Sequence, residues 1–220
     1  MKATLRVALA VLIAVGFAAV AARPAPADVI IMEVHTLDFL LGAGAAPVDT
    51  LKTTIMNAGN LRSTVYSQAY TDGAGLYAYL YQIENTGTVG NSPLEQFTLW
   101  PFTGATTVGT SAGWLGGDLP AGFLTGTAQA AEGEGWSEVL TSGPQLSFYY
   151  SLRAHQSVDI GEKSVVMYVL SHLAPDEITG NVIDGSVASG PVVGPLPEPA
   201  TLALMAAGAV LALVRRRRNV

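Results

Sequence analysis

Residues 28–180 predict an all-β domain, a single antiparallel β-sandwich, and three observations carry that reading. Side chains alternate in short runs of period two, Gly, Pro and Asn recur between the runs, and no apolar stripe of period 3.6 lasts long enough for a long helix. The two ends differ from this segment. Each is apolar with a basic flank, which predicts an N-terminal signal helix and a short C-terminal transmembrane helix.

At the N-terminus, Lys2 and Arg6 form a basic start and Val7 to Val20 an apolar stretch. Ala25-Pro26-Ala27 then sets small residues, Ala25 and Ala27, where a signal peptidase reads. Cleavage after Ala27 makes residues 1–27 a signal peptide. Ala22 is the alternative site, disfavoured by Pro24 two residues on, and an uncleaved anchor is the other reading. No twin-arginine pair accompanies Lys2 or Arg6, so the Sec translocon is the expected route.

Within the ectodomain, Val48, Leu51 and Ile55 recur at helical spacing and predict a short helical turn between Pro47 and Met56. Ser63 to Tyr70 sets Val65, Ser67 and Ala69 on one face and Thr64, Tyr66, Gln68 and Tyr70 on the other. Asp72-Gly73-Ala74-Gly75 reads as a turn, and Leu76 to Glu84 follows with Tyr77, Tyr79, Tyr81 and Ile83 on one face, completing a hairpin. Breaks at Asn85-Thr86-Gly87 and Gly90-Asn91-Ser92-Pro93 precede a strand from Leu94 to Trp100, which Pro101 ends. Gln145 to Arg153 and Lys163 to Leu170 have the β-branched and aromatic content of strands, whereas Gly113 to Gly126 is glycine-rich and reads as loop. Beyond Gly180 the chain turns to Gly, Val, Ser and Pro, so residues 181–196 are expected to be a linker. No internal period marks a repeat array.

Charge is unevenly spread. Residues 28–194 hold sixteen acids against four bases (Lys52, Arg62, Arg153, Lys163), a net charge of −12, while the whole chain carries −6. Such a domain excludes nucleic acid as a partner, because it has no basic patch to neutralise phosphates. The chain has no cysteine, hence neither a disulfide framework nor thiolate chemistry. Roughly 150 ordered residues suffice for one domain with its own core.

Residues 197–220 form the most specific pattern. Pro197-Glu198-Pro199 leads into fifteen uncharged, mostly apolar residues, 200–214, and these into Arg215, Arg216, Arg217 and Arg218. As a helix the apolar run spans about 22 Å, short against a hydrocarbon core of about 30 Å. The arginines would stop transfer and stay cytoplasmic. Pro199 suits a first helical turn and Glu198 the positive end of the helix dipole. These three parts in this order resemble the PEP-CTERM sorting signal. The resemblance implies that a membrane-embedded, exosortase-like enzyme recognises Pro197, Glu198 and Pro199, that cleavage removes the helix and its arginines, and that the product reaches the cell surface or an exopolysaccharide matrix. A simple tail anchor is the alternative reading of the same residues.

Signatures of chemistry are sparse. Gly109-Thr110-Ser111-Ala112-Gly113 matches the pattern of a nucleophile elbow, but that turn needs a helix after the serine and Trp114 to Pro120 is a poor helix. His155 and His172 could act as general bases, though neither sits in a local signature. His35, His155 and His172 lack the spacing of zinc ligands. Glu132, Glu134, Asp159, Glu162, Asp176 and Glu177 lie in or near predicted loops and offer oxygen ligands to calcium, without an EF-hand or a nonapeptide repeat. No catalytic residue, metal or cofactor is therefore expected. Tyr77, Tyr79 and Tyr81 could form an aromatic platform for sugar rings, with Tyr66 and Tyr70 as companions, or could pack inside the sandwich.

The expected function is a non-enzymatic structural protein of the cell surface or the exopolysaccharide-associated extracellular matrix, sorted through its tail. A carbohydrate-binding module using the tyrosine face is the alternative, and an exported hydrolase is a more distant one.

Overall fold

Period-two alternation places side chains on opposite faces of a strand, so a run that alternates in sequence buries one face when a second sheet covers it. The computed structural model describes residues 28–30, 33–100, 112–126, 139–141, 145–150 and 157–195. In chain order these form β1 (Asp28–Ile30), β2 (Glu33–His35), the helix α1 (Leu37–Leu41), β3 (Ala46–Pro47), β4 (Lys52–Ala58), β5 (Leu61–Thr71) and β6 (Tyr77–Asn85). Then come β7 (Gln96–Trp100), β8 (Ala112–Leu115), β9 (Val139–Thr141), β10 (Leu146–Tyr149), β11 (Met167–Ser171), β12 (Pro175–Asp184) and β13 (Ser186–Pro195).

One sheet runs β1-β9-β10-β7-β12-β13, and the other runs β2-β8-β11-β6-β5, with β3 and β4 both paired to the far edge of β5. Neighbours are antiparallel except β2 and β8, which are parallel. The sheets face each other across a core that includes Tyr79, Tyr81 and Ile83 from β6, Phe97 and Leu99 from β7, Phe148 from β10, and Val182 and Val192 from the last two strands. The all-β sandwich is the fold that the alternation predicts.

The predicted hairpin is β5–β6, in register Ala69↔Tyr79 and Ser67↔Tyr81. Its turn is set by Asp72, whose carboxylate accepts from the amides of Ala74 at 2.7 Å and Leu76 at 3.0 Å. Those bonds, the one from Ala74 foremost, hold the Asp72 carboxyl below its ordinary range. The strand expected from Leu94 begins at Gln96, with Leu94 in an isolated bridge to Val158. Similarly, β11 begins at Met167 while Lys163 bridges to Glu84. Of the strand expected over Gln145 to Arg153, Leu146–Tyr149 is strand and residues 151–153 lie outside the described residues.

Three expectations are corrected. The helical turn between Pro47 and Met56 is absent: Lys52–Ala58 is strand β4, in which Met56 is fully buried and Ile55 is 70% exposed. Pairing along β5 imposes period two on β4, which turns Thr54 and Met56 inward and Ile55 outward, while Val48 and Leu51 lie before the strand. The helix that forms is α1, five residues capped by Thr36, whose hydroxyl accepts from the Phe39 amide at 3.2 Å. Gly113–Gly126 is loop only from Gly116, since Ala112–Leu115 is strand β8 and buries Trp114 in the core.

The third correction is the largest. Residues 181–195, expected to be linker, belong to a β-hairpin whose arms pair from Pro175↔Pro195 to Asp184↔Ser186. Gly185 turns the chain at φ +61°. Glycine here makes room instead of flexibility: a Cβ on Gly190 would stand 2.6 Å from Thr54 Cγ2, and one on Gly194 would stand 2.1 Å from Ile178 Cδ1. The domain therefore runs at least to Pro195 instead of ending at Gly180.

The seven-stranded sheet is also covered on its outer side. Ala78, Leu80 and Tyr168 pack there with Leu41 of α1, Leu115, Phe123 and Val166. Gln82 fastens the covering loop through Nε2 to the Leu124 carbonyl at 2.5 Å and through Oε1 from the Leu124 amide at 3.1 Å. This double cover explains why β6 is buried almost continuously instead of alternating.

Burial also sets how the domain responds to alkali. Desolvation raises the phenols of Tyr79, Tyr81 and Tyr150, and burial followed by a hydrogen bond to Glu84 pushes Tyr66 up to about 12. Unfolded tyrosines ionise near pH 10, so above that pH the unfolded chain releases protons that the folded domain retains. The stability these phenols contribute is complete below about pH 10 and is lost as pH rises through the folded values. We expect tyrosinate absorbance to appear together with loss of the β-sheet circular dichroism; early titration of the buried tyrosines in an intact domain would contradict this. Glu84 has the opposite sign. Its hydrogen bond with Lys163, 2.5 Å away, and then that from Tyr66 hold it below the ordinary carboxylate range, so its contribution is lost as pH falls through the folded value.

Candidate functional site

The last strand and the tail meet with almost no chain between them. From Val192 to Pro195 every residue of β13 is buried. The Val193 amide donates to Ser67 Oγ at 3.1 Å, and the Val193 carbonyl accepts from the Tyr81 hydroxyl at 2.7 Å. Two residues earlier, the Pro191 carbonyl accepts from Thr54 Oγ1 at 2.6 Å. β13 is the edge of its sheet, and these side-chain bonds from β4, β5 and β6 close that edge against the facing sheet. Proline at residue 191 is tolerated because an edge strand has one side without a ladder partner.

A cleft of about 580 Å³ opens beside Val193, walled by Val48–Lys52 on one side and Pro175–Glu177 on the other. Lys52 Nζ pairs with the Glu177 carboxylate across it, joining β4 to β12. Both side chains are partly exposed, so the pair orients the walls more than it stabilises them. A second groove of about 420 Å³ shares Glu177 and continues past Thr179, Ser189 and Pro191. The same end of the sandwich carries the Asp72–Gly75 turn, where the Gly75 carbonyl lies 3.0 Å from His172 Nδ1. A carbonyl oxygen only accepts, so Nδ1 carries the proton and His172 is tied to this turn.

The tyrosine platform is corrected. Tyr79 and Tyr81 are fully buried between the sheets, and Tyr77 is partly buried against the same core. Their hydroxyls are occupied, Tyr79 donating to the Leu173 carbonyl at 2.6 Å and Tyr81 to Val193. Tyr66 and Tyr70 are not companions of that row. They pair with Gln82 and Ala78 and lie on the opposite face, where Tyr66 donates to Glu84 and Tyr70 to Gln68. The facing sheet takes the tyrosine row as core because that row and Ile83 make the most apolar face available.

The remaining candidates do not assemble. Ser111 and His155 lie outside the described residues, but the chain directly after Ser111 is strand β8, not the helix an elbow requires. His35 stacks on Phe39 with ring centroids 4.4 Å apart, far in sequence from His172. Asp176 and Glu177, expected in or near a loop, are in strand β12. Asp159 and Glu162 engage each other's turn, the Asp159 amide donating to Glu162 Oε2. Glu132 and Glu134 lie outside the described residues, and among those described no three His, Asp or Glu side chains gather as a metal site. Also outside are Ala25, Ala27, Pro197, Glu198, Pro199, the 200–214 run and Arg215 to Arg218. Among the described residues no helix is long and apolar enough to cross a membrane.

The cleft and the closed edge escaped sequence reasoning. A signal for the hairpin was present, since Asp184-Gly185 between the alternating Ile178-Gly180-Val182 and Ala188-Gly190-Val192 is a turn flanked by period two.

A β-sandwich whose last strand runs straight into a Pro-Glu-Pro motif, an apolar stretch and an arginine cluster defines an exported protein sorted by its C-terminus. A family model described as the PEP-CTERM protein-sorting motif matches residues 195–218, and the chain carries that motif. The protein is thus exported to the cell envelope, anchored there at its C-terminus, and presented to an exosortase as processing partner. No curated protein and no solved structure matches the chain.

Proposed function

We propose that this is a non-enzymatic structural protein of the cell surface or the exopolysaccharide-associated matrix, delivered as a folded β-sandwich and processed at Pro197-Glu198-Pro199. The observation that carries the reading is the direct junction of β13, ending at Pro195, with a sorting motif matched from residue 195. In this reading the Sec translocon and signal peptidase act on residues 1–27, and cleavage after Ala27 leaves Asp28 as the first residue of β1. The arginine cluster stays cytoplasmic while the domain stands outside. A core that takes up the tyrosines favours a structural part over a sugar platform on that face.

Intact mass and terminal peptides of the protein from its native cells, in membrane and extracellular fractions, test this. A species starting near Asp28 and ending close to Pro199 is expected. Retention of Val220 in a membrane-bound form would show that the tail is an anchor and no more. Stripping the exopolysaccharide should release the mature domain into the medium; a domain that stays on stripped cells removes the matrix role.

A further inference from the structure

We infer that the tail end of the folded sandwich is itself a docking surface for the membrane enzyme that processes the tail, read together with the linear motif. The inference rests on the processing proposed above and adds a folded component to it. Four residues, 196–199, and so five Cα steps separate Pro195, the last of β13, from Ala200, the first of the apolar run. Fully extended, those five steps reach about 17 Å. An enzyme embedded in the membrane and cutting within that span must seat several of those residues in its own groove, so the domain comes down against the enzyme. β13 does not lend extra length, because Val193 is bonded through both its amide and its carbonyl and residues 192–195 are buried.

The surface presented by this geometry is the cleft between Val48–Lys52 and Pro175–Glu177, which opens beside Val193. It is concave, and its Lys52–Glu177 pair ties one wall to the other. The opposite end of the sandwich, with the Gly185 turn, stands about 30 Å further along β13 and faces away. The cleft bears Asp49, Asp176 and Glu177 against Lys52, so the complementary surface on the enzyme is basic.

The test follows conversion of pulse-labelled full-length precursor in native cells to the product ending near Pro199. Asp176→Arg reverses an exposed charge at the cleft, and Asp184→Arg makes the same change beside the Gly185 turn. We expect the first to slow conversion roughly tenfold and the second to leave it unchanged. A Gly/Ser insert of about twelve residues between Pro195 and Leu196, with a root-mean-square span of about 19 Å, keeps the domain and Pro197-Glu198-Pro199 intact while uncoupling them. It should slow conversion several-fold. Tyr81→Phe removes the bond that holds the Val193 carbonyl and should not speed conversion. Unchanged conversion in both Asp176→Arg and the insert overturns the inference, and so does faster conversion in Tyr81→Phe, which would mean that the enzyme draws on a peeled strand. A wild-type chain that is never converted instead overturns the processing reading itself.

Discussion

An ectodomain ending at Asp184 is expected to remain unfolded, while one ending at Pro195 folds cooperatively. The difference is β13, which places Ala188, Val192 and Val193 in the core and covers Met56 and Ile178. Two buried valines and an alanine are worth upward of about 5 kcal/mol, against a typical total of about 5–15 kcal/mol for a domain. Truncation also strips the partners from Thr54 Oγ1 and from the Tyr81 hydroxyl, and opens the long inner edge of β12. Circular dichroism and thermal melting of the two lengths, residues 28–184 and 28–195, decide the matter. Equal stability would mean that the Gly/Val/Ser/Pro stretch is the linker its composition suggests.

Replacing Tyr81 by alanine is expected to bring the domain to the margin of stability. The ring is fully buried, lies 5.6 Å from Phe97 between centroids, and donates its hydroxyl to Val193. Loss of an aromatic core side chain costs about 3–5 kcal/mol. The abandoned Val193 carbonyl adds to this, because a buried acceptor without a partner costs about 1–3 kcal/mol. Tyr81→Phe keeps the ring and isolates that second effect. Urea unfolding of both variants measures the two costs, with Ala expected to lower the midpoint well below Phe. A Tyr81→Ala domain as stable as wild type would place the ring on the surface and restore the platform.

The parts legible in sequence are those whose cause is local. In β5 and β6 the alternation of Val65, Ser67 and Ala69, and of Tyr79, Tyr81 and Ile83, follows from neighbours two residues apart. The turn is legible because Asp72 bonds residues two and four positions on. The β13 strand is not legible in composition, which does not separate a glycine that loosens a chain from one that lets another strand approach. Gly180, Gly190 and Gly194 are of the second kind, and the atoms that require them belong to Val192, Thr54 and Ile178. The cleft was invisible for the same reason, since Lys52 and Glu177 are 125 residues apart.

By itself, the sequence determined an all-β class, export and a C-terminal sorting signal. Alternation, hydropathy and a linear motif are properties of contiguous residues, and a membrane or a peptidase reads them that way. Tertiary structure alone decided that the tyrosine row is core, that the stretch before the tail is the closing strand, and that the folded domain reaches the motif's first residue. Burial depends on which distant strand supplies the opposing surface, and that is settled only when the two sheets come together.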